Sequence, residues 1–178
     1  DEVYAKLKEL GLNRVNISLD SLDSDAFALC VGKANQLDSV LNGIQSAIDA
    51  GFSSVKINTV LSRHWIDDEV HDLLTYVETW PVIWRFIEYM PFQGDAFHGP
   101  TFDEWKAQLE RVSDGILTEN YDVYGFGPAT YYNLPSGKEI GFIFSMSHSY
   151  CDTCNRVRLT SDGQMRLCLL RDDEADLV

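Results

Sequence analysis

The sequence is short of basic residues, of long apolar runs and of cysteines, and each shortage argues against a class of protein. Lysine and arginine number 14 against 28 acidic residues, a net charge of −14, so generic binding of a nucleic acid polymer is not expected. No run approaches the roughly 18 apolar residues of a membrane-spanning helix. The first residues show no signal-peptide pattern, so we expect a cytoplasmic protein with no membrane partner.

Residues 1–91 alternate between helical and strand patterns. Helices are predicted at 2–10, 37–50 and 67–79, and strands at 14–20, 54–61 and 82–90. Three such alternations are typical of parallel βα units, so the predicted class is α/β. Three units are too few to close a barrel. The segment is therefore either a small open sheet or part of a larger, TIM-like βα barrel.

The pattern changes after Pro91, and we place a domain boundary there, giving segments 1–91 and 92–178. We expect a loop at 92–101, a helix at 102–112, and antiparallel strands and loops at 121–147, where Gly, Tyr and Phe are frequent. The charged residues at 171–176 contain no stop signal, so we expect the natural chain to continue.

Three of the four cysteines follow the pattern Cys151-x2-Cys154-x13-Cys168. Clustered thiols of this kind do not resemble the disulfide framework of a small secreted domain, and they suggest a metal site. Three thiolates could hold an iron–sulfur cluster with one iron open to another ligand. Alternatively, His148 could complete a closed structural zinc site. The spacing alone does not separate these two hypotheses.

Basic residues occur near the cysteines and inside two predicted strands. Arg156 and Arg158 alternate, so a strand would direct both guanidinium groups to one side, as for binding a phosphate; the alternative is a pair of surface arginines. Lys56 and Arg85 lie within otherwise apolar strands and need a ligand or a carboxylate. Glu88 is a candidate carboxylate for Arg85.

Four segments together resemble the GTP 3′,8-cyclases, a family of radical S-adenosylmethionine enzymes. They are VNISLDSLD at 15–23, KINTVLSR at 56–63, RFIEYMP at 85–91 and CDTCNRVRLTSDGQMRLC at 151–168. The resemblance covers nearly the whole chain in the right order. It implies an incomplete βα barrel of which residues 1–91 are about three units, followed by the C-terminal region with the cysteine site.

The resemblance also implies the roles of particular residues. Cys151, Cys154 and Cys168 would hold an auxiliary 4Fe–4S cluster whose open iron binds the purine of GTP. GTP would be bound by Lys56, Arg85, Arg156, Val157 and Arg158, and S-adenosylmethionine by Ser18 and Met90. The product would be (8S)-3′,8-cyclo-7,8-dihydroguanosine 5′-triphosphate, a precursor of the molybdenum cofactor. A cyclic pyranopterin monophosphate synthase would act downstream, and a homodimer is compatible with the family.

One family feature does not occur in these 178 residues: the Cys-x3-Cys-x2-Cys loop that holds the first 4Fe–4S cluster and cleaves S-adenosylmethionine. The intact lyase would need that cluster in addition to the auxiliary one, so we expect this polypeptide to be inactive alone. Two other functions stay open at this point. One is a non-catalytic module that binds zinc or a cluster together with a nucleotide or protein partner. The other is a different radical enzyme with an auxiliary cluster.

Overall fold

A computed structural model of the chain describes residues 2–62, 64–91, 99–121 and 127–168, and the backbone of 174–176. The helices are α1 (Glu2–Glu9), α2 (Ser24–Val31), α3 (Leu37–Asp49), α4 (Asp67–Thr79) and α5 (Phe102–Val112). The strands are β1 (Arg14–Ser18), β2 (Ser54–Leu61), β3 (Ile83–Glu88), β4 (Thr118–Asn120), β5 (Thr130–Asn133), β6 (Glu139–Ile143), β7 (Arg158–Leu159), β8 (Gln164–Arg166) and β9 (Glu174–Asp176). None of the described helices has the length and apolar character needed to cross a membrane.

The predicted α/β class is confirmed, and each predicted helix and strand of residues 1–91 is present. α4 shows why its bounds were predictable. Three acidic residues in its first turn favour a helix N-terminus, and the Glu69 carboxylate accepts a hydrogen bond from Ile66 N at 3.0 Å. Its buried residues follow the helical period: Val70, Leu73, Leu74 and Val77. Pro81 follows two residues after the helix.

One helix, α2, was not predicted, although its end signals are present in the sequence. Asp23 precedes it and accepts a hydrogen bond from Ala26 N at 2.7 Å. Gly32 ends it with φ of 69°, a left-handed conformation that glycine adopts without steric cost. The helix is short and buries mainly Phe27, so its apolar periodicity is weak.

The larger sheet has the strand order β1-β2-β3-β6-β5-β4. β1, β2, β3 and β6 are parallel neighbours, whereas β4, β5 and β6 pair in antiparallel fashion. Antiparallel strands were expected at 121–147, appended to the βα region, whereas the first of them, β4, begins earlier, at Thr118. Instead β6 returns to pair with β3, so both halves of the chain share one sheet. Of the predicted loop at 92–101, residues 92–98 lie outside the described part of the chain, as do residues 122–126.

The two faces of this sheet differ in chemistry because β-strand side chains alternate. One face packs on the helices, and its buried core includes Ile57, Leu61, Trp84, Phe86, Ile140 and Phe142 from the strands together with Ile44, Leu73, Trp105 and Leu109 from the helices. The opposite face carries polar side chains of four strands: Asn16, Ser18, Lys56, Asn58, Arg85 and Tyr131. We call it the polar face.

Candidate functional site

Lys56 lies on the polar face and is only 8% exposed. Its Nζ donates a hydrogen bond to the Tyr131 hydroxyl at 3.2 Å and lies 5.5 Å from the centre of the Tyr131 ring. A buried ammonium is stabilised by such a ring and hydroxyl. The two residues are 75 positions apart in the sequence, so Tyr131 was not among the predicted site residues.

Arg85 is the second basic residue of the polar face. Its Nε donates to Asn58 Oδ1 at 2.9 Å, and its Nη2 donates to Asn16 Oδ1 at 3.0 Å. Burial lowers the pKa of Arg85, contact with Tyr131 opposes that shift, and the positive charge of Arg156 adds to the lowering. Arg156, from the cysteine segment, therefore lies close enough to Arg85 for the two cations to repel each other.

Strand register explains how these side chains meet. Asn58 pairs with Arg85, Arg85 pairs with Gly141, and Gly141 pairs with Tyr131. A Cβ added to Gly141 would lie 2.9 Å from Arg85 Cγ and 3.0 Å from Tyr131 Cε1. Glycine at this position therefore leaves the space in which Arg85 and Tyr131 converge.

The three clustered cysteines line a single cavity of about 100 Å³. The residues around it are Met90, Ser145, Tyr150, Cys151, Cys154, Arg156, Arg158, Leu167 and Cys168. A turn of 3₁₀ helix at Cys151–Thr153 separates the first two cysteines, and the β7–β8 hairpin brings back the third. The structure thus brings the predicted cysteines, both predicted arginines and Met90 to one place. Arg156 also lies 5.9 Å from the centre of the Tyr150 ring.

The donor arrangement can be compared with the two metal hypotheses. Within the described residues, no three His, Cys, Asp or Glu side chains form a group that could hold one metal ion. His148 is not among the lining residues of the cavity, and its ring stacks on Phe102 with centroids 4.8 Å apart. The geometry therefore does not favour a closed zinc site that includes His148. In a cluster each thiolate binds a different iron, so a wider spacing of sulfurs around a cavity is compatible with it.

Two of the remaining predicted site residues, Ser18 and Met90, lie near the carboxyl ends of parallel strands, where α/β folds commonly bind ligands. Ser18 is the last residue of β1 and pairs with Asn58 of β2. Met90 lies two residues beyond the end of β3 and reaches the cysteine cavity. Val157 lies between the two arginines and is 61% exposed, so its side chain is accessible to a ligand.

Residues 82–178 match the family model described as Molybdenum Cofactor Synthesis C. The chain belongs to this family. Residues 1–77 match the model of the Radical SAM superfamily, so the two matches together span nearly the whole sequence.

Curated relatives of this family member are named GTP 3′,8-cyclase. The protein from Moorella thermoacetica is 41% identical over 175 residues, covering 96% of this chain and 53% of the relative. The protein from Trichodesmium erythraeum is 44% identical over 174 residues, covering 93% and 52%. The protein from Listeria monocytogenes is 38% identical over 178 residues, covering 96% and 52%. The chain spans about half the length of these relatives.

Proposed function

We propose that this chain forms part of a GTP 3′,8-cyclase of molybdenum cofactor biosynthesis, which converts GTP to (8S)-3′,8-cyclo-7,8-dihydroguanosine 5′-triphosphate. The observation that carries the proposal is the cavity where Cys151, Cys154 and Cys168 meet Arg156 and Arg158. Relatives that bear this name support it. The four parallel strands would form part of an incomplete βα barrel with the polar face inside.

Cys151, Cys154 and Cys168 would hold an auxiliary 4Fe–4S cluster. The donor set fits, since thiolates are the usual ligands of such clusters and these three line one cavity. When bound, the cluster would supply an iron with a free position for the purine of GTP. Ser18 and Met90 would contact S-adenosylmethionine, which the intact enzyme would cleave at a second 4Fe–4S cluster.

The basic residues would bind the triphosphate of GTP. The positive charge of Arg156 lowers the pKa of Arg85, so an anion bound near both guanidinium groups would be stabilised by them. Arg156 and Arg158 both line the cysteine cavity, and guanidinium groups bind phosphate through paired hydrogen bonds. Lys56 would add a buried positive charge, oriented by Tyr131. In a chain of net charge −14, such a cluster gives a polyanion a local site of attraction.

The partners of the reaction follow from the proposal. GTP would be the substrate, and the product would pass to a cyclic pyranopterin monophosphate synthase. One GTP would contact both the polar face, through Arg85, and the cysteine cavity, through Arg156 and Arg158. A homodimer would be compatible with this arrangement.

The test is a titration of GTP against Arg156→Ala and Arg158→Ala, in the enzyme that carries this sequence together with a first-cluster motif. Loss of one charge-assisted hydrogen bond, about 1.5–3 kcal/mol, should weaken binding by roughly one to two orders of magnitude. Arg111→Ala is the matched control, because Arg111 instead bonds to Asp67 on the surface at 2.7 Å. Unchanged dissociation constants in both cavity variants would reject the assignment.

Metal analysis tests the cluster separately. After anaerobic reconstitution, about four irons per chain with matching sulfide are expected for a thiolate-held cluster. Replacing Cys168 by Ala should lower that number. Stoichiometric zinc that is lost in His148→Ala would instead establish the closed zinc site and a non-catalytic metal module.

A further inference from the structure

Glu88, the last residue of β3, is a carboxylate buried to 6% exposure. The sequence made it a candidate partner for Arg85, but strand alternation puts Glu88 on the core face and Arg85 on the polar face. Its partners are backbone amides. Met146 N donates to Glu88 Oε2 at 2.5 Å, and Ser147 N donates to Oε1 at 2.9 Å. A buried carboxylate is costly unless hydrogen-bonded in this way.

The segment that Glu88 binds leads directly to the cysteines. We call residues 145–154 the cysteine loop. Ser147 Oγ accepts a hydrogen bond from Phe102 N at 2.9 Å, and the His148 ring stacks on the Phe102 ring. The start of the loop is thus attached to β3 through Glu88 and to the N-terminus of α5. Cys151 follows only three residues after His148.

Glu88 also connects the two walls of the cysteine cavity. Met90, on one wall, is two residues after Glu88 along the chain. Ser145, on the other wall, adjoins Met146, whose amide Glu88 binds. A carboxylate at this point therefore sets the distance between the end of β3 and the start of the cysteine loop.

The geometry points to Glu88 as the positioning residue of the cysteine loop: its charge holds the loop so that Cys151 and Cys154 face the cavity. That these thiols hold a cluster rests on the proposed function; the attachment of the loop does not. Both carboxylate oxygens face amide donors: Oε2 accepts from Met146 N and, at 3.2 Å, from Ser147 N, and Oε1 accepts from Ser147 N. Glutamine has the same shape but one acceptor oxygen, and its NH2 group would face an N–H donor.

The experiment compares Glu88→Gln with the unchanged 178-residue chain in two measurements. Hydrogen exchange of Met146 and Ser147 amides in the metal-free chain should become roughly tenfold to a hundredfold faster, because a charge-assisted hydrogen bond is lost. In the reconstituted chain, iron should pass to a chelator faster by a similar factor. Alkylation of Cys151 and Cys154 by iodoacetamide reports the same loosening without metal.

The matched control is Glu110→Gln, since Glu110 also anchors a loop, accepting from Leu117 N at 2.9 Å. That variant should change exchange at Leu117 and leave Met146, Ser147 and iron release as they were. If Glu88→Gln does not fold, Glu88→Asp keeps the charge but reaches only one amide, and exchange at one of the two positions should accelerate. Unchanged exchange at both amides in the folded variants would overturn the inference.

The two proposals fail in different ways. If the unchanged chain binds no iron but Glu88→Gln loosens the loop, the cluster assignment fails and the positioning role stands. If the unchanged chain binds about four irons and Glu88→Gln releases them at the same rate with unchanged exchange, the cluster stands and the positioning role fails.

Discussion

Replacing Gly141 by alanine should disturb the polar face without removing any of its functional groups. The added Cβ would lie 2.9 Å from Arg85 Cγ, and 3.0 and 3.3 Å from two atoms of the Tyr131 ring. Carbon atoms prefer separations of about 3.5–4.0 Å, so at least one neighbour has to move. Tyr131 is 6% exposed, and Arg85 is held by two asparagines, so neither moves freely.

The expected loss of stability combines two opposing effects. Overpacking of a well-packed site costs about 1–3 kcal/mol. Alanine lowers the entropy of the unfolded chain relative to glycine, which stabilises by about 0.4–1 kcal/mol. The net change should lower the free energy of unfolding of Gly141→Ala by about 0–2.6 kcal/mol, and by about 1–3 kcal/mol relative to a Gly→Ala control that has the same entropy gain. Gly127→Ala is the control, because a Cβ there meets no atom of the described residues within 4 Å.

Urea unfolding of both variants measures this difference. The midpoint of Gly141→Ala should fall while the slope stays constant, since no change in buried surface is expected beyond the site. Gly127→Ala should be neutral or slightly stabilised. In the intact enzyme, Gly141→Ala should also weaken GTP binding, because Arg85 is displaced. Equal midpoints for the two variants would show that Arg85 and Tyr131 are not packed against Gly141 as described.

Three further predictions concern charge and cofactor chemistry. Burial raises the pKa of Asp20, although the amide of Val60 donates to its carboxylate, so the folded state loses stability as pH rises from the ordinary carboxyl pKa through the raised value. In urea titrations, Asp20→Asn should therefore gain stability relative to the unchanged chain as pH rises above about 4, and a difference that stays constant with pH would contradict this. Hydrogen bonds from Arg111, and then Gln108, lower the pKa of Asp67, so the stability that they contribute is present above the ordinary pKa of the carboxyl group and is lost as pH falls through the lowered value. Arg111→Ala should raise the pKa of Asp67 in an NMR titration, and an unchanged pKa would argue against the pair. Since the 178 residues contain no Cys-x3-Cys-x2-Cys motif, this polypeptide should form no 5′-deoxyadenosine under reducing anaerobic conditions, as chromatography would reveal, and its formation would refute the prediction.

Local signals in the sequence were enough to predict most elements. The acidic first turn marks the start of α4, the apolar period runs through it, and Pro81 follows its end. All three signals lie within the helix or beside it, so no distant contact was needed to predict it. β2 is rich in β-branched residues and was predicted with its observed bounds, Ser54–Leu61. The cysteine spacing and the two arginines likewise indicated a site, and in the structure all five of these residues line one cavity. Their roles in binding GTP and a cluster stay predictions.

The tertiary structure decided which side chains complete the site. Lys56 meets Tyr131 because β6 pairs with β3 on one side and with β5 on the other, and no local pattern specifies that order. Gly141 matters only because strand register places it between Arg85 and Tyr131. A shift of one residue in that register would move the side chains of the shifted strand to the other face of the sheet. From its position in the sequence, Glu88 was a candidate partner for Arg85. The pleat of β3 instead directs its side chain to the core face, where it accepts hydrogen bonds from the amides of Met146 and Ser147. Sequence alone determined most of the elements and the reactive residue types, because those depend on neighbours in the chain. The partners of Lys56, Arg85 and Glu88 depend on strand order and register, which only the folded sheet sets.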